Sequence, residues 1–283
     1  MKRFKTKKSL FQATALVFLL GSNLKGQEIE HLSNMQKQVI EAKTIRNDEL
    51  ADSIAKVYIE THLLKLDEKE LFTRENLTFI SEHLGKVDDP AFKLFILNPE
   101  KINSILGSDK AEIAIRKSIS AAYIPKNFIT ISMSDWDTLE RKISDKFGPI
   151  GLEELYGKRM LYSYEKRNWS GFGKYYQLYF EKALKRPQFN INAISWLVFE
   201  NVNDPIVLTF ACDEVMKYAI EEWYQADFAA WDTYANLLFK SGEKKMAIEW
   251  EKKAVKASNN DAVFIETLEK MKKNMPTWGL NSN

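Results

Sequence analysis

The feature that most constrains the fold is a repeat of large and small apolar side chains in the C-terminal half of the chain. Small residues recur at spacings of 36 and 35 positions, and large residues recur at the same two spacings. The small set is Ala183, Ala219 and Ala254, and the large set is Met160, Trp196 and Trp231. A period of this length is typical of stacked helix pairs, in which large residues of one helix fill the space that alanines leave on the next. We therefore expect an all-α stack of antiparallel helix pairs with an N-terminal helical region before it.

Helix start signals support this expectation along the whole chain. Three dipeptides place an N-cap acceptor before a proline, which suits the first helical position because its missing N–H costs nothing there. They are Asp89-Pro90, Asn98-Pro99 and Asp204-Pro205. Ser134 and Asp137 resemble a capping box for a helix over 135–146. Strand-like alternation occurs only over 128–133, so the sequence predicts at most a trace of β structure.

The last repeat unit, residues 229–259, has a helix-turn-helix pattern. Trp231 lies near its start, Gly242 in the turn, and Ala247 and Ala254 in the second helix. This pattern resembles the tetratricopeptide repeat, a unit of about 34 residues, and the resemblance implies a right-handed stack. The match is fair over 190–223 and weak over 151–187. The unit also departs from the family at Ala235, where glycine is usual, and at Glu251, where a bulky apolar residue is preferred.

A second resemblance covers residues 48–260. The motifs Asn192-Ala193-Ile194-Ser195-Trp196, Asp232-Thr233-Tyr234-Ala235-Asn236 and Ala247-Ile248-Glu249-Trp250 are similar to the helical region of some secreted thioredoxin-like proteins of the Bacteroidota. Those proteins also carry a thioredoxin domain, which this sequence lacks. The resemblance therefore implies a helical, thioredoxin-associated region without the redox activity.

The first residues have the pattern of a signal peptide over 1–26. A basic segment is followed by an apolar run over 11–20, which is shorter than the roughly 20 residues that span a bilayer. We expect cleavage near Gln27, no stable membrane span afterwards, and a periplasmic or secreted protein; an uncleaved membrane anchor is the alternative. The remaining chain has 35 basic and 39 acidic residues, a net charge of −4. That charge disfavours nucleic acid as a partner.

Composition also divides the mature chain. All seven tryptophans follow residue 135. We therefore expect an N-terminal helical region over 27–134, helical repeats over 135–265 and a C-terminal tail over 266–283.

Residue types that carry catalysis are sparse. Cys212 is the only cysteine, and we expect it to be a buried apolar residue; a reactive thiol is the alternative. His31, His62 and His83 have no partner at the spacing of metal ligands. The sequence therefore predicts no catalytic residue, no cofactor and no metal. A Ser-His-Asp arrangement of residues distant in sequence stays open, because its members need not be neighbours.

Two features of the C-terminal half bear on binding. Nine aromatic residues lie within 156–180, and they suit either the core of the repeats or a platform for a peptide or glycan. In the last repeat, the first-helix face that lines the concave surface of this fold includes Asp232, Asn236, Phe239 and Lys240. In related binding modules an asparagine and a lysine there hold a partner's backbone or terminal carboxylate.

Three functions follow as hypotheses. The first is a non-enzymatic scaffold that binds a protein or peptide partner through the concave face. The second, taken from the resemblance alone, is an accessory factor of thiol-redox or envelope maintenance. The third is a hydrolase or transferase whose catalytic residues are dispersed along the sequence. The identity of the partner and the oligomeric state are not predicted.

Overall fold

The protein is all-α over the residues that the structure, a computed structural model, describes, namely 34–279. These residues form helices and the turns between them, and no β-strand occurs in this range. The predicted all-α fold with packed helix pairs is thereby confirmed. The one strand candidate is not a strand, because Phe128–Thr130 form a single turn of 3-10 helix. The predicted signal peptide over 1–26 lies outside the described residues.

The chain divides into two compact units after Ser118, and each is described by itself. The helices of the first unit are α1 (Asn34–Thr44), α2 (Asp48–Thr61), α3 (Glu68–Leu71), α4 (Arg74–Glu82), α5 (Pro90–Leu97) and α6 (Pro99–Leu106). The next helix, α7 (Lys110–Tyr123), contains the division. The two units therefore meet earlier in the sequence than residue 134, where composition placed the boundary.

The first unit is held by small side chains that let helices approach closely. Val39 and Ala42 of α1 pack with Ala51 and Ala55 of α2, and Phe79 covers this cluster from α4. The alanines allow the two helix axes to lie near each other, while the larger apolar residues fill the remaining space.

The second unit contains the predicted repeats. Its helices are α8 (Met133–Glu165), α9 (Trp169–Ala183), α10 (Ile191–Asn201), α11 (Pro205–Phe210), α12 (Lys217–Glu222), α13 (Phe228–Ser241), α14 (Lys244–Ala257) and α15 (Ala262–Lys272). The segment Ala211–Met216 joins α11 to α12 as a π-helical turn. Within α8 the chain bends at Gly148, which has a φ of 57°, immediately before Pro149.

The first and last repeat units read from the sequence correspond to packed helix pairs, since α9 packs against α8 and α14 packs against α13. α15 adds a further helix that packs against α14. The three periodic alanines, Ala183, Ala219 and Ala254, are completely buried. Met160 is also buried, whereas Trp196 and Trp231 are half-buried. Part of the residues expected to form a tail belongs to α15, so the predicted start of the tail at 266 lies within a helix.

The predicted helix starts are confirmed at the three prolines, which begin α5, α6 and α11. Only the Asp204 side chain forms the expected cap, by accepting a hydrogen bond from Ile206 N at 2.9 Å. The predicted capping box at Ser134 is wrong. The N-cap is Ser132, whose Oγ accepts from Asp135 N at 3.1 Å, so the helix begins two residues earlier.

Candidate functional site

The predicted partner-binding residues lie on α13, and the structure does not place them on an open concave face. Asp232, Asn236 and Phe239 are 9 %, 1 % and 5 % exposed, and Lys240 is half-buried. The expected open face is therefore corrected to a covered one. The reason is that α13 is enclosed by neighbouring helices on several sides, including α10, α11 and α14. The binding role assigned to these four residues stays a prediction.

Polar groups on α13 are satisfied inside the protein. Asn236 Nδ2 donates to both the backbone oxygen and Oδ1 of Asp232, each at 2.9 Å. An asparagine so engaged has no amide hydrogen left for a partner unless it first breaks these bonds. The sequence pattern of a polar helix face was real, but its hydrogen bonds are intramolecular.

Asp232 also belongs to a buried carboxyl pair with Glu251 of α14. Glu251 is 0 % exposed, and neither of its carboxyl oxygens meets a hydrogen-bond donor in the described part of the chain. Burial, reinforced by the charge of Asp232, raises the pKa of Glu251. Burial raises the pKa of Asp232 as well, although its hydrogen bonds with Glu251 and Asn236 oppose that shift. Burial therefore favours a protonated form of this pair, and the charge of Asp232 favours the proton on Glu251.

The other predicted residues, Phe239 and Lys240, form a pocket with Phe199 of α10 that holds the indole ring of Trp278. Lys240 Nζ donates to the backbone oxygen of Phe199 at 2.6 Å. It also lies 5.5 Å from the centroid of the Trp278 ring. The centroid of that ring is 6.4 Å from the centroid of Phe199 and 6.3 Å from that of Phe239. We call Phe199, Phe239 and Lys240 the Trp278 pocket.

The Trp278 pocket joins an ammonium group to aromatic rings. An ammonium near an aromatic face is attracted by the ring's quadrupole, and desolvation strengthens that attraction. Burial lowers the pKa of Lys240 to about 8, so the lysine still carries a proton at neutral pH. The pocket accepts an aromatic side chain, as its present occupant demonstrates.

The aromatic residues within 156–180 belong mainly to the core. Six are buried, namely Tyr156, Phe172, Tyr175, Tyr176, Tyr179 and Phe180. Tyr176 Oη shares a buried hydrogen bond of 2.9 Å with Ser195 Oγ. Tyr164 is exposed, and Tyr162 and Trp169 are half-buried. The core interpretation therefore accounts for most of this cluster, and three rings remain accessible at its edge.

Two surface cavities adjoin α8 and α9 and share Lys174. One has a volume of about 480 Å³ and includes Asp137, Glu140 and Tyr156 in its lining. The other has a volume of about 220 Å³ and includes Arg159. Neither cavity has a histidine in its lining.

Arg159 forms ion pairs with two of the carboxylates beside these cavities. Its Nη1 donates to Glu140 at 2.6 Å and its Nη2 to Asp137 at 3.3 Å. The guanidinium carbon lies 4.3 Å from the centroid of Tyr175. Arg159 is only 2 % exposed, so two carboxylates and a ring compensate its burial. The arrangement ties two distant parts of α8 together and offers no proton-transfer pair.

Cys212 and His83 are buried, and each contacts a neighbouring polar side chain. Burial raises the pKa of the Cys212 thiol to about 12, and its Sγ lies 3.9 Å from Ser241 Oγ. In the first unit, Nδ1 of His83 lies 2.9 Å from Oδ1 of Asp52. Burial lowers the pKa of His83 despite that hydrogen bond. Between residues 34 and 279, no cluster of three or more His, Cys, Asp or Glu side chains is arranged to hold a metal ion.

Sequence reasoning missed Trp278 and Phe199 as parts of one site. A signal was present, since Trp278 is a lone aromatic in a polar tail two residues after Pro276. Glu251 departs from the repeat pattern at the sequence level, but nothing in the sequence indicates that it pairs with Asp232.

Comparisons of the chain with family models, with curated proteins and with solved structures found no match. The resemblances to tetratricopeptide repeats and to thioredoxin-associated helical regions accordingly stay predictions. Within the described range, no helix combines the length and apolar character needed to cross a bilayer.

Proposed function

We propose that this chain is an exported, non-enzymatic helical scaffold that binds a protein or peptide partner at the surface around the Trp278 pocket. The proposal rests on the observation that Trp278 of the same chain occupies that pocket. A non-helical segment that follows α15 lies there and places an aromatic ring between Phe199, Phe239 and Lys240. A surface that accepts a peptide segment of its own chain has the shape and chemistry to accept a similar segment of a partner.

The composition of the pocket supports this proposal. Aromatic side chains are enriched in protein interfaces, since they give large contact areas for little loss of conformational freedom. The Lys240 ammonium adds attraction for an aromatic ring and for backbone oxygens. Two of the four residues proposed from the sequence, Phe239 and Lys240, are part of this pocket.

The other two hypotheses gain less support. A direct thiol role is disfavoured because Cys212 is buried and the pKa of its thiol is raised, which leaves almost no thiolate at neutral pH. A hydrolase with dispersed residues would need a base near a substrate cavity. In the larger cavity beside α8, Glu140 and Asp137 are already bound to Arg159 or Tyr156, and the third carboxylate, Asp145, is exposed to solvent.

The proposal is tested by panning a library of random peptides against the purified chain. We expect peptides that bind the wild-type chain and lose affinity by about ten-fold or more for Lys240→Met, which keeps an apolar stem and removes the ammonium. Lys174→Met is the matched control, because Lys174 is exposed on α9 and lies outside the pocket. Equal loss in both variants, or no enriched peptide, contradicts the proposal.

Export is tested separately. The full chain expressed with its own N-terminus is expected in the cell envelope or the medium, with a mature N-terminus near Gln27. Sequencing of the N-terminus of the purified protein decides this. Retention of Met1 in a cytoplasmic protein contradicts it.

A further inference from the structure

The segment after α15 is attached weakly to the rest of the second unit. Met275 N donates to the backbone oxygen of Lys270 at 2.8 Å, which closes the end of the helix. Beyond it, Pro276 to Gly279 make no backbone hydrogen bond within the described part of the chain. The segment is therefore held by the side chain of Trp278, whose ring is half-buried.

Thr277 shows that the fit is incomplete. Its hydroxyl oxygen is buried and meets no hydrogen-bond partner in residues 34–279. When the segment is released, the Thr277 hydroxyl can hydrogen-bond water. When the segment is bound, the hydroxyl loses those hydrogen bonds, which costs free energy. This loss favours release of the segment and opposes the attraction of the pocket for the ring.

Lys240 joins two walls of the pocket by a contact that does not involve Trp278. Its ammonium is fastened to the backbone oxygen of Phe199, a residue of α10, by a bond that does not involve the tail. Phe199 is also supported from its own helix by Trp196, whose ring centroid lies 4.9 Å away. The pocket thus has two walls that do not depend on its occupant.

From this combination we propose that residues 276–279 act as an intramolecular strap, in which Trp278 occupies the place that an aromatic residue of an extended partner peptide takes in the complex. The inference rests on the proposed function and adds the ligand class and its regulation. A partner must displace Trp278 before it binds, so the apparent affinity equals the intrinsic affinity multiplied by the fraction of molecules whose pocket is open. Variants that release the strap bind the same peptide more tightly.

The experiment uses a synthetic peptide that copies residues 273–279, Lys-Asn-Met-Pro-Thr-Trp-Gly, with 5-fluorotryptophan as its aromatic residue. We expect its fluorine NMR signal to shift and broaden when the full-length Trp278→Ala chain is added. The wild-type chain at the same concentration is expected to bind it at least about ten-fold more weakly, because a tethered segment competes at high effective concentration. A peptide with alanine in place of the tryptophan is the matched control. Equal binding to both chains, or no binding to a folded Trp278→Ala chain, overturns the strap.

A second measurement needs no pocket-opening variant and covers the case in which Trp278→Ala does not fold. The wild-type chain is labelled with 5-fluorotryptophan at its seven tryptophans, and the Trp278 signal is assigned with Trp278→Phe. A library peptide that depends on Lys240 must move this signal to the position of solvent-exposed 5-fluorotryptophan. An unchanged Trp278 signal in the complex overturns the strap while the proposed function stands.

The two proposals therefore fail in different ways. Absence of any peptide that depends on Lys240 removes the proposed function. Presence of such a peptide without displacement of Trp278 removes only the strap. A wild-type dimer in which the segments exchange between two copies, detected by light scattering, assigns the pocket to self-association and also overturns the role of a partner.

Discussion

The buried pair of Asp232 and Glu251 makes the stability of the second unit depend on pH in a direction unusual for carboxylates. Glu251 retains its proton in the folded chain, because burial and the charge of Asp232 raise its pKa. In the unfolded chain the same group releases its proton above its ordinary pKa of 4.5. The folded state therefore binds more protons than the unfolded state above pH 4.5, and stability falls as pH rises through that window.

The size of this pH dependence follows from the free energy needed to keep one proton on the folded chain at a pH at which the unfolded chain releases it. Each pH unit above 4.5 costs up to about 1.4 kcal/mol while the pair stays protonated. Between pH 5.5 and pH 7.5 the free energy of unfolding of the wild-type chain should fall by up to about 3 kcal/mol relative to a chain without this group. Glu251→Gln is that chain, since its amide can donate to Asp232 at any pH.

Glu251→Gln is expected to match the wild-type chain near pH 5 and to exceed its stability at pH 7.5. Urea unfolding of the full chain, followed by circular dichroism at several pH values, measures both. Glu249→Gln is the matched control, because Glu249 is an exposed residue two positions earlier on α14. It should stay within about 0.5 kcal/mol of the wild type. The reasoning is refuted if Glu251→Gln and the wild type have parallel pH profiles, or if Glu251→Gln is the less stable chain at pH 7.5.

Three further predictions concern other buried groups. His83 has a lowered pKa, so as pH falls below 6.5 the unfolded chain takes up a proton that the folded chain does not. The free energy of unfolding should therefore decline below pH 6.5. In urea titrations, His83→Gln should remove this part of the decline. Cys212 should react with an aromatic disulfide reagent at least about 100-fold more slowly in the folded chain than in urea at pH 8, and equal rates would contradict its burial. Gly151→Ala would place a Cβ 2.6 Å from Ile143 Cγ2 and 2.8 Å from Phe147 Cβ; it should lower stability by about 1–3 kcal/mol in thermal or urea unfolding, and an unchanged midpoint would show that α8 shifts freely at its bend.

Several elements of the fold could be predicted because their causes are local. Proline at the first helical position begins α5, α6 and α11, since it fixes φ and needs no hydrogen-bond acceptor there. Gly242 ends α13 with a φ of 104°, a conformation that glycine adopts without strain. The start of α8 was misplaced by two residues because Ser132 and Ser134 are both competent caps, and the sequence does not rank them.

The candidate site was predicted less well because it depends on contacts between distant residues. The hydrogen bond of Lys240 reaches Phe199, 41 positions away. Nothing in the helical periodicity around Lys240 indicates which helix will supply that oxygen. The polar character of Asp232 and Asn236 suggested exposure, although Asn236 donates to Asp232 within α13 and Asp232 also pairs with Glu251 of α14.

The sequence by itself determined that the described chain is helical and that its C-terminal half repeats about every 35 residues. Both properties arise from short-range rules, namely helix caps and the alternation of large and small residues between neighbouring helices. Only the tertiary structure decided that α13 is enclosed, that Glu251 meets Asp232, and that Trp278 returns to Phe199 and Lys240. Burial depends on what other segments cover a residue, and that depends on how the whole chain packs.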